Sequence, residues 1–172
     1  MNFKDLAAER YSTRRFKNRP VEQEKIDLVL EAARLAPTAA NKQPQRILVI
    51  TGEDALARVD KCTACRFAAP LVFLVGYDTD KCWIREKYDG AKSGEIDASI
   101  VTTHMMLQAA DIGLGTTWVM HFDPVKAREE FSLPANIIPV AFLPTGYPAD
   151  DAAPSDRHTL REPPEKLAAY SR

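Results

Sequence analysis

The chain has 172 residues, of which 45% are hydrophobic and 27% charged, with a formal net charge of −1. These values suit one ordinary globular domain with a sizeable core. They exclude a broad basic footprint of the kind that neutralises nucleic-acid phosphates or anionic membranes. No apolar run approaches the length of a membrane span. Lys4, Asp5, Glu9 and Arg10 interrupt any signal-peptide core, so the expected location is cytoplasmic. Cys62, Cys65 and Cys82 make an odd count, which speaks for reduced thiols over a disulfide framework.

In chain order, Phe3 to Glu9 reads as a short helix, followed by a polar stretch from Arg10 to Arg19. Ile26, Val29, Leu30 and Ala33 fall at helical spacing, so a helix is expected over 21–36, ended by Pro37. A polar loop, 38–45, leads into a buried strand at 46–51. A helix is expected at 53–59 and a second buried strand at 71–76. The polar segment from Asp78 to Gly94 has no clear pattern. Glu95 to Ile112 is the strongest helix, with Gly113 as its stop. A third strand is expected at 116–119. A helix over 123–131 has Asp123 as N-cap and Pro124 in its first turn. A fourth strand is expected at 137–143, where Pro139 suggests an edge position or a late start. From 149 to 172 the chain reads as an extended arm of a single domain.

Two features suggest a second copy of the chain. The long helix is apolar on two faces: Ile96, Ile100, Leu107 and Ala110 on one; Ala98, Val101, Met105, Ala109 and Ile112 on the other. Only a narrow stripe, Asp97, His104, Gln108 and Asp111, is polar. A helix apolar nearly all round is buried nearly all round, by a partner or as the central helix of a monomer. In the arm, Leu160, Leu167 and Tyr170 stand among charges, as in a disordered segment or one laid across another surface.

Three clusters could carry chemistry. Arg10-Tyr11-Ser12-Thr13-Arg14-Arg15 offers guanidinium forks and a hydroxyl suited to an anionic ligand; alone, such a run is more often a solvated basic turn. Ala36-Pro37-Thr38-Ala39-Ala40-Asn41-Lys42-Gln43-Pro44 is a stiff loop with two carboxamides, of the sort that lines binding sites or simply joins a helix to a strand. Gly113-Leu114-Gly115-Thr116-Thr117-Trp118 allows close backbone approach. It is not a dinucleotide fingerprint, because the third glycine is missing and a helix precedes it.

In order and spacing these clusters resemble the nitroreductase superfamily of FMN proteins. The likeness rests on Arg10, Ser12 and Arg14; on Pro37, Thr38, Asn41, Gln43 and Pro44; on Ala109, Gly113, Leu114, Gly115 and Trp118; and on Gly146, Tyr147 and Pro148. It spans roughly residues 3–161. It implies an α+β, three-layer α/β/α fold around a mainly antiparallel sheet, a homodimer with exchanged C-terminal arms, and FMN at the subunit interface. It also implies electron transfer from NAD(P)H to a small acceptor such as a nitroaromatic or quinone, by alternating occupancy of one site.

By the same resemblance, Arg10 and Ser12 contact the phosphate and ribityl chain, with Tyr11 contributing backbone. Arg14 lies near the flavin pyrimidine, where a permanent cation stabilises the negative charge of the reduced ring. Pro37, Thr38, Ala39, Asn41 and Gln43 form the loop reaching the flavin from the other subunit. Trp118, Val119, Met120 and His121 pack near the ring, and Arg157 completes the phosphate site, with His158 and then Arg161 as weaker candidates. Relatives are longer in the region of 80–94, where Trp83 and Tyr88 lie, so a more open substrate pocket is expected. No residue stands out as a dedicated general acid. A carrier or sensor that binds FMN without turnover, or another reductive reaction such as dehalogenation, is the alternative. Cys62-Thr63-Ala64-Cys65 is a C-x-x-C without a second pair, so no metal site is expected.

Overall fold

The computed structural model describes residues 2–171. In chain order the elements are α1 (Phe3–Glu9), α2 (Gln23–Leu35), β1 (Gln45–Ile50), α3 (Glu53–Cys62), β2 (Leu71–Asp78), α4 (Gly94–Asp111), β3 (Gly115–Thr116), α5 (Pro124–Glu130), β4 (Ile137–Gly146) and α6 (Pro164–Leu167). The strands form one sheet in the order β1-β2-β4-β3, with every neighbouring pair antiparallel.

All eight residues of β2 are buried, as its unbroken apolar run requires of a strand covered on both faces. Side chains alternate across it. Leu71, Phe73 and Val75 pack with Val29 and Ala33 of α2 and with Ala98, Val101, Met105 and Ala109 of α4. Val72 and Leu74 face the other way, against Val59 and Cys62 of α3, Ala127 of α5 and Phe142 of β4. The result is the expected helix–sheet–helix layering. Asp123 caps α5 by accepting from the backbone N–H of Val125 at 2.9 Å and of Lys126 at 3.1 Å.

Two expectations change. The third strand keeps only Gly115 and Thr116; Val119 makes an isolated bridge to Phe142 instead. The fourth strand runs on to Gly146 and lies between β2 and β3, but β3 pairs only with its last two residues, so at Pro139 the strand has a neighbour on one side only. Pro139 is accommodated opposite Gly76, where the β2–β4 register shifts, and β3 reaches only Thr145 and Gly146. Asp97, on the polar stripe of the long helix, is itself buried, 1% exposed.

Glycine has distinct work at the end of α4. Gly113 takes φ 78°, a conformation that stops the helix and favours glycine. Gly115 lies so close to the chain after α1 that an added Cβ would overlap the Thr13 hydroxyl and sit 2.7 Å from Thr13 Cβ. That contact lets residues 12–13 run beside β3: Ser12 bridges Thr116, and the Thr13 N–H donates to Thr116 O at 2.9 Å. Gly115→Ala is therefore expected to cost about 1–3 kcal/mol, the usual range for overpacking, read as a lowered denaturation midpoint with unchanged slope.

The chain beyond β4 turns back on the N-terminal segment. Lys17 N–H donates to Tyr147 O at 2.8 Å and Ala149 N–H to Arg15 O at 3.0 Å. Arg15–Asp151 and Lys17–Asp150 ion pairs flank them. Tyr147 also anchors the start of α2, since its Oη donates to Glu22 Oε2 at 2.6 Å. That bond, with help from Glu22's own backbone and Arg19, holds the Glu22 carboxyl down to about 2 from its ordinary 4.5. A depressed folded-state pKa means the contribution is full above about pH 4.5 and fades as pH falls towards about 2. Tyr147→Phe is expected to move the Glu22 titration upward in a carboxyl NMR titration and to flatten acid-side stability in that window. A Glu22 titration that does not move would show that Tyr147 is not the cause.

Candidate functional site

Six residues, 10–15, separate the end of α1 from the Phe16–Pro148 bridge, and they carry the basic cluster. Because Ser12 and Thr13 are pinned to β3, the flanking Arg10, Tyr11 and Arg14 project beside the returning arm. There the arm forms a single helical turn at Asp156–Thr159. His158 places Nε2 2.9 Å from Ala8 O, and its ring meets Tyr11 edge-on with centroids 6.3 Å apart. Tyr11 Oη donates to Ala152 O at 3.4 Å.

Between the two segments is a cleft of about 210 Å³ lined by Arg10, Tyr11, Ser12, Arg14, Ser155, Arg157, His158 and Arg161. Six of these were expected at one site from sequence: Arg10, Tyr11, Ser12, Arg14, Arg157 and His158. Arg161, the weakest candidate, lies with them. Ser155 gave no signal, being one polar residue in a polar arm.

The electrostatics are one-sided, for four arginines and a histidine line the cleft and no carboxylate does. Arg14 Nη1 donates to Ser12 O at 3.3 Å. Arg10 is the most constrained: its Nη1 is buried and has no hydrogen-bond partner. Burial first, and then the charge of Arg161, pull the Arg10 guanidinium below its usual pKa. A buried cationic donor without an acceptor is a costly arrangement, and an anion in the cleft would relieve it. A second cavity, about 190 Å³, adjoins through Arg10 and Tyr11 and is walled by Leu6, Leu114 and Pro148.

The other expected residues lie elsewhere on the chain. Pro37, Thr38, Ala39, Asn41 and Gln43 form a tight turn that does not line the cleft. Ala40, Asn41 and Gln43 all take positive φ, at 48°, 52° and 49°, a backbone region that non-glycine residues rarely occupy outside functional or over-determined loops. Thr38 Oγ1 accepts from Gln43 N–H at 3.0 Å, and Gln43 Nε2 donates to Asn41 Oδ1 at 3.2 Å. The turn is tied to α4 by Ala39 N–H, which donates to Asp97 Oδ1 at 2.9 Å.

Trp118 to His121 continue from β3. Trp118 packs against the α2–α4 core with a buried Nε1 donor that has no acceptor. Val119 enters the opposite core, whereas Met120 is 70% exposed. His121 is exposed, and its carbonyl accepts from Thr63 Oγ1 at 2.6 Å. Behind this stretch Cys62 is buried, with its thiol pushed up by burial, and Cys65 is half-buried; both are unpaired. Among the described residues no group of three or more His, Cys, Asp or Glu side chains could hold a metal, and no helix is long and apolar enough to cross a membrane.

Comparison with known proteins places this geometry in a family. The Nitroreductase family profile matches residues 7–68 and 64–147. A crystal structure of a nitroreductase family protein from Clostridium difficile is 44% identical, superposes with a TM-score of 0.93, and is covered over 99% of its length by 100% of this chain. A Methanothermobacter thermautotrophicus protein carrying the name NADH dehydrogenase/NAD(P)H nitroreductase is 30% identical over 155 residues, 86% of this chain and 78% of its own length. A second C. difficile structure, an FMN-dependent nitroreductase, is 25% identical with a TM-score of 0.73, over 91% of this chain and 96% of that one. With the profile, the sequence relative and the superposition in agreement, the chain belongs to the nitroreductase family.

Proposed function

We propose that the protein is an FMN-dependent oxidoreductase that passes electrons from NAD(P)H to a small acceptor such as a nitroaromatic or quinone, the two occupying one site in turn. The observation that carries this reading is the buried, unpartnered Nη1 of Arg10 in a cleft lined by four arginines and no carboxylate. Its size and charge suit a phosphomonoester, and the names of the matched relatives supply the rest. When bound, FMN supplies the two-electron chemistry.

The chain's own residues divide the remaining work. Arg10, Ser12 and Arg157 would hold the phosphate, with Tyr11 and His158 shaping the cleft and Arg161 adding charge. Arg14 would place a permanent cation by the flavin pyrimidine. Trp118, Val119, Met120 and His121 would pack near the ring. Protons for the acceptor would come from water.

A homodimer fits this arrangement, with 149–172 as the arm of a single domain spanning 1–172. The Pro37–Gln43 turn does not line its own chain's cleft, so a second copy would have to present it. Ile96 on α4 is 64% exposed, with Leu28 and Leu35 of α2 also bare, and Leu160, Leu167 and Tyr170 of the arm are uncovered. Burying these groups between copies is the apolar gain such an assembly needs. Three unpaired cysteines fit a cytoplasmic setting.

Anaerobic titration of the yellow protein with NADH and with NADPH tests the reading. Loss of the flavin absorbance, and its return on adding a quinone, is expected. Flavin that neither donor bleaches would leave a carrier or sensor; a colourless protein that takes up no FMN would overturn the reading.

A further inference from the structure

Asp97 is a fully buried carboxylate that the proposed chemistry does not use. It sits in the first turn of α4, 1% exposed, and no basic side chain bonds to it among the described residues. Both oxygens are committed. Oδ1 accepts from the backbone N–H of Ala39 at 2.9 Å, and Oδ2 accepts from the Ser93 hydroxyl at 2.7 Å. Ser93 Oγ in turn accepts from the Trp83 N–H at 3.1 Å. A lone buried charge is expensive; the first turns of α4 and two donors offset that cost. Its neighbours Ala98 and Val101 are core residues, so packing alone would be served by an apolar side chain. What the carboxylate uniquely supplies is an acceptor for two loops at once.

One of those loops needs it. Ala40, Asn41 and Gln43 hold positive φ, a conformation that persists only where the surroundings over-determine it. Inside the turn, Asn41 N–H and Gln43 N–H both return to Thr38, so the turn is rigid within itself. Asp97 joins its leading half to the fold. We propose that Asp97 is a positioning residue of the flavin site: it fixes the Pro37–Gln43 turn that would reach the flavin and, through Ser93, ties that turn to the Trp83 segment. The proposal rests on the FMN reading above.

The test uses the full-length chain, stripped of flavin and titrated with FMN, together with amide hydrogen exchange of the flavin-free protein. In Asp97→Ala, exchange at Ala39 and through the turn is expected to accelerate, and the FMN dissociation constant to rise about tenfold, the order of one hydrogen bond to a charged group. Asp97→Asn keeps an acceptor for Ala39 and can donate to Ser93 Oγ, so it should restore both to within about threefold of the parent. Ser93→Ala, a mild deletion that stays informative if the Asp97→Ala chain does not fold, should speed exchange at Trp83 and weaken FMN by roughly threefold. Unchanged exchange, faster exchange with unchanged FMN affinity, or an asparagine that fails to rescue would each overturn the proposal. A parent chain that takes up no FMN would instead remove the reading on which it stands.

Discussion

An Arg10→Ala protein is expected to leave purification short of FMN, with its dissociation constant raised roughly 10- to 150-fold. The range follows from about 1.5–3 kcal/mol for a hydrogen bond to a charged group, at 1.4 kcal/mol per tenfold. Arg10 is singled out from four arginines because it alone is buried with a donor left over. The same burial gives the variant a second signature. In the flavin-free chain the Arg10 charge is disfavoured by desolvation and by Arg161, so its removal should leave the melting temperature of the apoprotein unchanged or higher. A merely structural arginine would behave oppositely. Full cofactor in the purified variant would take Arg10 out of the phosphate site.

Arg14→Ala is expected to act on the flavin and to leave its retention largely intact. A fixed cation near the pyrimidine favours the reduced, negatively charged ring; through a surface-like dielectric its loss is worth about 1–3 kcal/mol. For a two-electron couple that corresponds to roughly 20–60 mV, in the downward direction. Acceptor reduction should slow with it, and Arg14→Lys should recover most of the potential because the charge is kept. Exposure of Arg14 in the single chain sets the expectation at the lower end. An unchanged potential would remove Arg14 from that role.

The fold was legible where one strong pattern decided it. The unbroken run from Leu71 to Val75 announced a strand buried on both faces, and the spacing of Ala98, Val101, Met105 and Ala109 announced the helix that covers it. Boundaries were less legible, because they depend on pairing across the sheet. β3 stops after two residues: Thr117 N–H still donates to Pro144 O, but the next bridge to β4 comes only at Val119. Pro139 is tolerated because β3 stops short of it, leaving that side of β4 unpaired, and because the β2–β4 register shifts opposite Gly76.

The site divides in the same way. The basic cluster and Arg157 were readable as motif residues; the Ser12–Thr116 bridge holds the first, and the arm's return past Phe16 and Ala8 brings the second to the same cleft. Spacing puts Asp97 on the polar stripe with His104, Gln108 and Asp111 but does not show that it is buried. Its burial comes from a loop some sixty residues away that folds over it, Ala39 to Asp97 being separated by 58 positions. Arg161 was undervalued because it follows the family's basic position by a few residues and owes its place to the helical turn at Asp156–Thr159.

Calorimetric titration of the flavin-free protein with FMN and, separately, with riboflavin asks whether the cationic cleft is a phosphomonoester site. The two ligands share the isoalloxazine and ribityl chain and differ only in the phosphate. FMN should bind once per chain and at least about 100-fold more tightly than riboflavin, with an affinity that falls as salt rises. Equal affinities for the two, independent of salt, would contradict the account.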